Sequence, residues 1–250
     1  MNAYTSFAQV YDAFMDNVPY EEGCQYICKL LKQYGICDGL IAELGCGTGT
    51  LTELLAASGY DMIGIDNAPD MLEIAQEKKL HSGHDILYLL QDMREFELFG
   101  TVRSIISFCD SINYITEAED LLQVFRLVNN YLDPGGYFIF DFHTQYYYSQ
   151  VLGDTTIAED RDDMSFIWDN YYDEETGINE YSLSIFVQEE QDLYRKFQEE
   201  HFQRSYTLKE IKCLLEKAGL EYITAYDELS TDKPTAESTR IHVIAREKEK

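Results

Sequence analysis

The sequence of 250 residues predicts an α/β fold, with a parallel sheet that helices cover on both faces and a small antiparallel β insertion. Short apolar runs alternate with segments of helical periodicity between residues 40 and 142, which is typical of a parallel sheet. A glycine-rich loop follows the first apolar run, where a parallel strand would turn into a helix. Between residues 145 and 204 the alternation ends, and the period of two that half-exposed strands show takes its place.

The core elements follow one another with short connections. Residues 1–34 are predicted to be helical, because apolar side chains such as Phe7, Val10 and Tyr11 recur at helical spacing. Core strands are predicted at 40–44, 61–65, 86–90, 104–108, 137–142, 220–226 and 240–245. Helices are predicted at 50–57, after an N-cap at Asn67, around 121–132 and after a capping box at Thr207–Glu210, with a turn at 133–136.

The change of pattern divides the chain into three parts. The N-terminal helical cap covers 1–37, the core covers 38–144 and 205–250, and the antiparallel β insertion covers 145–204. Strands are predicted within the insertion at 165–172, 181–187 and 194–203. The insertion is rich in aromatic residues, which leaves two roles open for it: a lid over an active site, or the surface through which two copies form a homodimer.

Charge and hydropathy narrow the choice of partners. The 46 acidic and 19 basic residues give a formal net charge of −27. This charge disfavours nucleic acid and anionic membranes, because both are bound through Lys and Arg. We find no run of 18 apolar residues and no signal peptide, so we expect a cytoplasmic protein that binds no membrane. The six cysteines lack a zinc-binding pattern, so we expect reduced thiols and no bound metal.

The loop Glu43-Leu-Gly-Cys-Gly-Thr-Gly49 points most directly to chemistry, since it lies between a predicted strand and a predicted helix. Glycines there let the backbone turn tightly and approach a ligand without clashes from Cβ atoms. A dinucleotide-binding loop has the spacing G-x-G-x-x-G beside a pyrophosphate. The spacing here is G-x-G-x-G with a preceding acid, which favours a ligand that has no pyrophosphate and carries a charged amino acid end.

Two acidic residues after the next strands are consistent with an adenosyl ligand. Asp66 ends the second strand about 20 residues after the loop, where a carboxylate accepts hydrogen bonds from both hydroxyls of a ribose. A helix cap is the alternative role for Asp66. Asp92 follows the third strand and is predicted to accept from the exocyclic amine of adenine, with Met93 packed on the ring. An ordinary turn is the alternative there.

Taken together, these segments resemble the class I S-adenosylmethionine-dependent methyltransferases, in particular the small-molecule type with a single methyltransferase domain. The segments are E-L-G-C-G-T-G, G-I-D-N-A-P-D-M-L, Q-D-M and a strand that ends in F-C-D-S-I-N-Y, and the resemblance covers roughly 38–142 and 205–247. It implies a Rossmann-like sheet of seven strands, mostly parallel with the last strand antiparallel. It also implies that S-adenosyl-L-methionine binds over the carboxyl ends of the early strands.

The resemblance further implies which positions contact the cofactor. The loop backbone lies against the methionine part of the cofactor, and the acid before the loop orients that part. The backbone after the fourth strand meets the methionine amino group. The opening helix contributes a tyrosine that folds over the cofactor, for which plain helix packing is the alternative. The residues at the cofactor positions are Tyr11, Glu43, Gly45, Cys46, Gly47, Asp66, Asn67, Asp92, Met93, Phe108 and Cys109.

The sequence specifies the methyl acceptor less well. Asp110 and Asn113 follow the fourth strand and are expected to border the methyl group. His201 and Arg204, near the end of the insertion, are candidates for a base and an anion anchor, with a surface or strand-pairing role as the alternative. His143, just past the fifth strand, is a further candidate. The predicted catalytic set is Tyr11, Asp110, Asn113, His201 and Arg204.

The predicted reaction is in-line methyl transfer from S-adenosylmethionine to a small molecule, driven by proximity and orientation. A general base is required only if the acceptor arrives protonated. Two alternatives stay open. One is a catalytically idle module that binds S-adenosylmethionine and acts as a partner or regulator. The other is a nicotinamide-dependent oxidoreductase, which the loop spacing disfavours.

Overall fold

The computed structural model describes residues 11–12, 14–15, 18–190, 193–248 and 250. The predicted helical positions Phe7 and Val10 lie outside the described residues. The helices are α1 Tyr20–Gln33, α2 Thr50–Ala57, α3 Pro69–Ser82, α4 Ala118–Tyr131 and α5 Leu208–Lys217. The strands of the core are β1 Leu40–Leu44, β2 Asp61–Asp66, β3 Ile86–Leu90, β4 Val102–Ser107, β5 Leu132–His143, β10 Leu220–Asp227 and β11 Arg240–Glu247. The strands between β5 and β10 are β6 Thr156–Asp160, β7 Met164–Asp173, β8 Ile178–Glu190 and β9 Leu193–Arg204.

The core strands form a seven-stranded sheet in the order β10-β11-β5-β4-β1-β2-β3. Strands β1 to β5 pair with one another in parallel, whereas β11 runs antiparallel to both β5 and β10. The predicted Rossmann-like sheet with its last strand antiparallel is therefore confirmed. The carboxyl ends of β1, β2, β4 and β5 meet at one edge of the sheet, where ligands bind in folds of this kind.

Apolar cores lie on both faces of this sheet, as the continuous apolar strands predict. On one face α4 and α5 bury side chains such as Phe125 and Leu215 against β5. On the other face α1, α2 and α3 bury Leu31, Leu55 and Leu72. The two cores leave the carboxyl edge of the sheet as the place where polar side chains gather.

The predicted antiparallel insertion forms a separate four-stranded sheet in the order β6-β7-β8-β9. The strands β7, β8 and β9 lie where the period-2 pattern predicts them. The edge strand β6 was not predicted, because all five of its residues are exposed and the sequence therefore carries no alternation there. One face of the sheet packs Phe166, Trp168 and Leu183 together with Phe14 from the N-terminal segment.

Two predicted boundaries differ from the structure for local reasons. The turn predicted at 133–136 lies inside β5, because the strand already begins at Leu132, which pairs with Val102 of β4. The register between β4 and β5 then shifts, and the next pair is Ser104 with Tyr137. Helix α3 begins at Pro69 with Ala68 as its N-cap residue, so the N-cap prediction for Asn67 is wrong. The Asp66 Oδ1 atom accepts the N–H of the N-cap residue Ala68 at 2.9 Å, and no side chain of the described residues caps the first turn of α3. Among the described residues, no helix is both long and apolar enough to cross a membrane.

Candidate functional site

A cavity of about 1100 Å³ lies between the carboxyl edge of the parallel sheet and the antiparallel insertion. One end is lined by Gly45, Gly47 and Asp66 after β1 and β2. The other end is lined by aromatic side chains of the insertion, among them Phe166 and Trp168. The cavity therefore joins the predicted cofactor positions to the part of the chain predicted to cover them.

The glycine loop owes its shape to backbone geometry that other residues rarely adopt. Gly45 has φ +71, and a Cβ atom there would lie 2.5 Å from the Ser111 Oγ atom. Gly47 has φ +53, lines the cavity and has no heavy atom within 4 Å of its Cβ position. A side chain at Gly45 would strike the protein, whereas one at Gly47 would enter open space beside the cavity.

The Asp66 carboxylate holds the loop and faces the cavity at the same time. Its Oδ2 atom accepts the N–H of Gly47 at 2.7 Å, and its Oδ1 atom accepts the N–H of Ala68. A carboxylate has about four acceptor positions, so each oxygen keeps one for a ligand. Burial raises the pKa of Asp66, although the backbone N–H groups of Ala68, Gly47 and Asn67 oppose this shift. The open cradle at Gly47 and this carboxylate fit the ribose and methionine parts of an adenosyl ligand.

Two residues predicted to contact the cofactor lie beneath the loop instead. Glu43 is 3% exposed, does not line the cavity, and accepts a hydrogen bond from the Thr52 hydroxyl. Burial raises the pKa of Glu43 to about 8, although the Thr52 bond opposes the shift. The Cys46 thiol packs in the apolar core, and its N–H donates to the Ile65 carbonyl at 3.1 Å. Both predictions of direct contact therefore differ from the structure, which gives these two residues a supporting position.

Asp92 and Met93, which were predicted to hold the adenine, line the cavity together with Asn67. The Asp92 carboxylate is held by Arg94, whose Nη2 and Nε atoms donate at 2.6 and 2.9 Å. These hydrogen bonds lower the pKa of Asp92, although burial opposes the shift. Arg94 was not predicted, and it fixes the orientation of the carboxylate that is proposed to meet adenine.

The N-terminal segment is fastened to the glycine loop through Asp12. The Asp12 Oδ1 atom accepts a hydrogen bond from the Thr48 hydroxyl at 2.6 Å, and its Oδ2 atom lies 2.6 Å from the Lys78 Nζ atom. This attachment places Tyr11 at the cavity, where it packs against Ala68 and Met71. The sequence predicted Tyr11 at the site but gave no sign of the residues that hold it there.

Phe108, Cys109 and Asp110 follow β4 and line the cavity. Cys109 and Asp110 have φ +58 and +54, a conformation that non-glycine residues rarely adopt. Such conformations persist only where the surrounding structure enforces them. Here the Arg240 Nη2 atom donates to Asp110 Oδ1 at 2.7 Å, and the Gln203 Nε2 atom donates to its Oδ2 at 2.9 Å.

Arg240 is the residue around which the acceptor side of the cavity is organised. Its Nη1 atom bonds to the buried Asp141 carboxylate, so one guanidinium is paired with two acids. Burial would raise the pKa of Asp110, yet Arg240 and His143 hold it below its ordinary value. The sequence offered no motif for Arg240, because it comes from β11, far from Asp110 along the chain.

His143 lines the cavity but its ring nitrogens are both engaged. The Arg240 Nη2 atom lies 2.8 Å from His143 Nε2, and the Thr239 carbonyl lies 3.2 Å from Nδ1. Because arginine only donates, Nε2 is the acceptor and Nδ1 carries the hydrogen. Burial and the charge of Arg240 lower the pKa of His143 to about 4. His143 is therefore neutral at pH 7, with its lone pair occupied, and is not a proton acceptor here.

Two of the predicted catalytic residues hold the fold together instead of lining the cavity. Asn113 is fully buried, and its Nδ2 atom donates to the carbonyls of His143 and Arg204 at 3.0 and 2.8 Å. The Arg204 side chain donates to Glu210 at 2.7 Å and lies over the Tyr206 ring. Asn113 thus ties β5 to β9, and Arg204 ties β9 to α5. The catalytic roles predicted for both differ from their positions in the structure.

His201 also lies outside the cavity, buried behind its wall. Its Nε2 atom is 3.1 Å from the Glu199 Oε2 atom, and both side chains are buried. Tyr114 and Tyr181 separate it from the cavity, which they line. A direct contact between His201 and a ligand, as predicted for a base, is therefore not formed.

Aromatic side chains form one wall of the cavity. The sequence showed only that the insertion is rich in aromatic residues, not that they share a wall with residues from other parts of the chain. The members of this aromatic wall come from the N-terminal segment, from the 3-10 turn after β4, and from the insertion. They are Phe14, Tyr114, Tyr147, Phe166, Trp168 and Tyr181. The Trp168 Nε1 atom is buried and has no hydrogen-bond partner in the described part of the chain. No cluster of three or more possible metal ligands occurs among the residues that the structure describes.

Known proteins similar to this chain share both its sequence and its fold. Residues 41–136 match the family described as a methyltransferase domain. YqeM of Bacillus subtilis (strain 168), named as a methyltransferase, is 33% identical over 97% of this chain and 96% of its own length. GWCH70_2453 of Geobacillus sp. (strain WCH70), named likewise, is 31% identical over 97% and 99%. A crystal structure of an S-adenosylmethionine-dependent methyltransferase from Clostridium acetobutylicum is 29% identical, with a TM-score of 0.89 over 99% of this chain and 100% of that one.

The open space at Gly47 leads to a prediction about ligand affinity. The substitution Gly47→Ala should weaken binding of S-adenosylhomocysteine by about tenfold or more, because the new methyl group enters the cradle. Gly83→Ala is the matched control, since Gly83 has φ +74 and an equally open Cβ position but does not line the cavity. Both variants should lose about 1–2 kcal/mol of stability from the left-handed conformation. Calorimetric titration and thermal unfolding measure the two effects, and equal affinity in both variants would contradict the prediction.

The buried Glu43 leads to a prediction about pH. Its pKa of about 8 in the folded protein exceeds the value of about 4.3 expected in the unfolded chain. Its contribution to stability is therefore complete below about pH 4.3 and is lost as pH rises to about 8. The neutral variant Glu43→Gln should accordingly gain in Tm relative to wild type between pH 5 and 8, with a constant difference above that range. A difference in Tm that does not change with pH would rule out this account.

Proposed function

The chain belongs to the S-adenosylmethionine-dependent methyltransferases, and we propose that it transfers the methyl group to a small-molecule acceptor held between the sheet edge and the insertion. One observation carries the proposal. A single cavity of about 1100 Å³ runs from the glycine loop to the aromatic wall, which leaves room for a second small molecule beside the cofactor. The insertion, residues 145–204, then acts as the lid of the active site.

The cofactor end of the site is built from backbone and carboxylates. We propose that the backbone at Gly45 and Gly47 holds the methionine part, and that Asp66 holds the ribose hydroxyls. Asp92 and Met93 hold the adenine, and Tyr11 covers the bound cofactor. When bound, S-adenosylmethionine supplies a methyl group made electrophilic by a positively charged sulfur. The protein's own contribution is to orient and enclose the reactants, an effect worth about 7–11 kcal/mol in favourable cases.

The acceptor end favours a compact molecule with an apolar or aromatic body. Six carboxylates line the cavity against two arginines, and both arginines are already paired with acids. A ligand with several negative charges would meet repulsion there and no unpaired arginine. Aromatic faces also attract positive charge, so a small amine suits this wall as well as a phenol does.

Transfer of labelled methyl groups tests the proposed function. The protein is incubated with S-adenosyl-L-[methyl-³H]methionine and a panel of tyramine, phenethylamine, catechol, benzoate and transfer RNA. We expect label on a small amine or phenol and none on the RNA. Trp168 is the single tryptophan of the chain, so its fluorescence reports occupancy of the acceptor end directly. Label on RNA alone would overturn the small-molecule proposal, and S-adenosylmethionine binding without any turnover would support the idle regulatory module.

The proposed ribose contact predicts the effect of removing the Asp66 carboxylate. Asp66→Ala should weaken binding of S-adenosylmethionine by about 2–3 kcal/mol, because two hydrogen bonds to the ribose are lost. Asp70→Ala serves as control, since Asp70 lies in the first turn of α3 and does not line the cavity. Calorimetric titration measures both variants. Unchanged affinity in Asp66→Ala would remove the ribose assignment.

A further inference from the structure

A buried pair of ionisable residues lies directly behind the aromatic wall and has no role in the site described so far. Glu199 and His201 stand two residues apart on β9, and their side chains are 2% and 3% exposed. The Glu199 Oε2 atom is 3.1 Å from His201 Nε2, whereas the Glu199 Oε1 atom has no partner in the described part of the chain. Burying such a pair costs more than burying apolar residues of similar size, which suggests a chemical role.

The pair is connected to the cavity through Tyr114. The Tyr114 hydroxyl lies 3.5 Å from His201 Nδ1, and the hydroxyls of Tyr114 and Tyr181 bond to each other. The Tyr181 ring is stacked on the imidazole at a centroid distance of 4.8 Å, which fixes the plane of His201. Tyr114 is 38% exposed and lines the cavity, so its hydroxyl is the point at which this chain of contacts reaches a ligand.

The contacts with Glu199 and Tyr114 fit the tautomer of His201 that carries its hydrogen on Nε2. An ionised Glu199 only accepts, so His201 Nε2 donates to it, and Nδ1 keeps a lone pair that faces the Tyr114 hydroxyl. Proteins activate a hydroxyl group by placing a histidine beside it and a buried carboxylate behind the histidine, where the carboxylate fixes the tautomer of the ring. The distance of 3.5 Å is long for such a bond, and catalytic hydrogen bonds commonly tighten when the substrate binds.

Three bases at the carboxyl edge of the sheet are already engaged. The lone pair of His143 Nε2 is occupied by Arg240, and the Asp110 carboxylate is held by Arg240 and Gln203. The Asp141 carboxylate is buried and paired with the same arginine. Tyr114 therefore differs from these groups in having a histidine lone pair behind it.

We propose that Tyr114 removes the proton that the methyl acceptor loses, and that Glu199 and His201 position and activate it. This rests on the proposed function. As the acceptor atom bonds to the methyl carbon, the bond between that carbon and the sulfur of S-adenosylmethionine breaks. The acceptor proton moves to the Tyr114 oxygen, and the Tyr114 hydroxyl proton moves to His201 Nδ1. The methylated acceptor and S-adenosylhomocysteine leave, and the imidazolium formed at His201 is neutralised by the Glu199 carboxylate. The proton returns to solvent when the cavity reopens, so the protein is unchanged after each turnover.

The kinetic test uses whichever panel compound the wild-type protein methylates. Tyr114→Phe and His201→Gln should each lower kcat by about 100-fold, the usual contribution of a general base, with less than a threefold change in the KM for S-adenosylmethionine. The double variant should be no slower than the single variants, because the two residues act as one unit. Glu199→Gln should lower kcat less than these two substitutions do, since glutamine keeps an oxygen that accepts the His201 N–H but lacks the negative charge. Losses that multiply in the double variant, or a Tyr114→Phe variant as fast as wild type, would overturn the proposal.

A spectroscopic test needs no acceptor. In ¹⁵N-labelled protein saturated with S-adenosylhomocysteine, long-range ¹H–¹⁵N spectra report the tautomer of each of the five histidines. The His201 signals are identified by their absence in His201→Gln. A protonated Nε2 and an unprotonated Nδ1 are expected, and a protonated Nδ1 would overturn the relay even if no panel compound is methylated. Failure of the proposed function differs from both results, because wild type would then label RNA alone, or bind S-adenosylmethionine in calorimetric titration without methylating any panel compound.

Discussion

The contact between the Asp66 carboxylate and the Gly47 N–H is the constraint on which the cofactor end of the site depends. The same carboxylate accepts the N–H of Ala68, the residue before α3, so one side chain holds both the loop after β1 and the start of the helix after β2. These contacts do not exclude a ligand contact, because a carboxylate has about four acceptor positions. Glu43 beneath the loop bonds to Thr52 of α2, which leaves the glycine backbone and Asp66 to face the cavity.

At the acceptor end, Arg240 has the corresponding place. It joins β11 to the ends of β4 and β5 through Asp110 and Asp141, and it occupies the lone pair of His143. A half-buried guanidinium between two carboxylates balances charge that would otherwise be costly to bury. The contacts with Arg240 and Gln203 also engage Asp110 and His143, which the sequence alone offered as candidates for the site. The proton acceptor that we infer therefore lies elsewhere, behind the wall formed by Tyr114 and Tyr181.

Predictions from the sequence succeeded where the relevant forces are local. The bounds of β1, β3 and α2 agree with the structure, because each is a compact apolar run or a periodic segment bounded by glycine. The loop glycines, Asp66 and Asp92 follow directly from strand ends and could be located for the same reason. Predictions for Asn113, His201 and Arg204 rested on residue type and on place along the chain, and neither reveals which way a side chain faces when several strands converge.

The sequence alone therefore determined the fold class, the order of elements and the cofactor, since these follow from periodicity and from a loop whose spacing matches one class of ligand. Only the tertiary structure decided which side chains share the cavity. Arg240 meets Asp110, Asp12 meets Lys78, and His201 meets Tyr114 through separations in sequence of 130, 66 and 87 residues. Such pairs leave no periodic signal, because each partner is placed by packing of its own strand or helix. Their chemistry arises from burial, which fixes charge and tautomer only after the elements have come together.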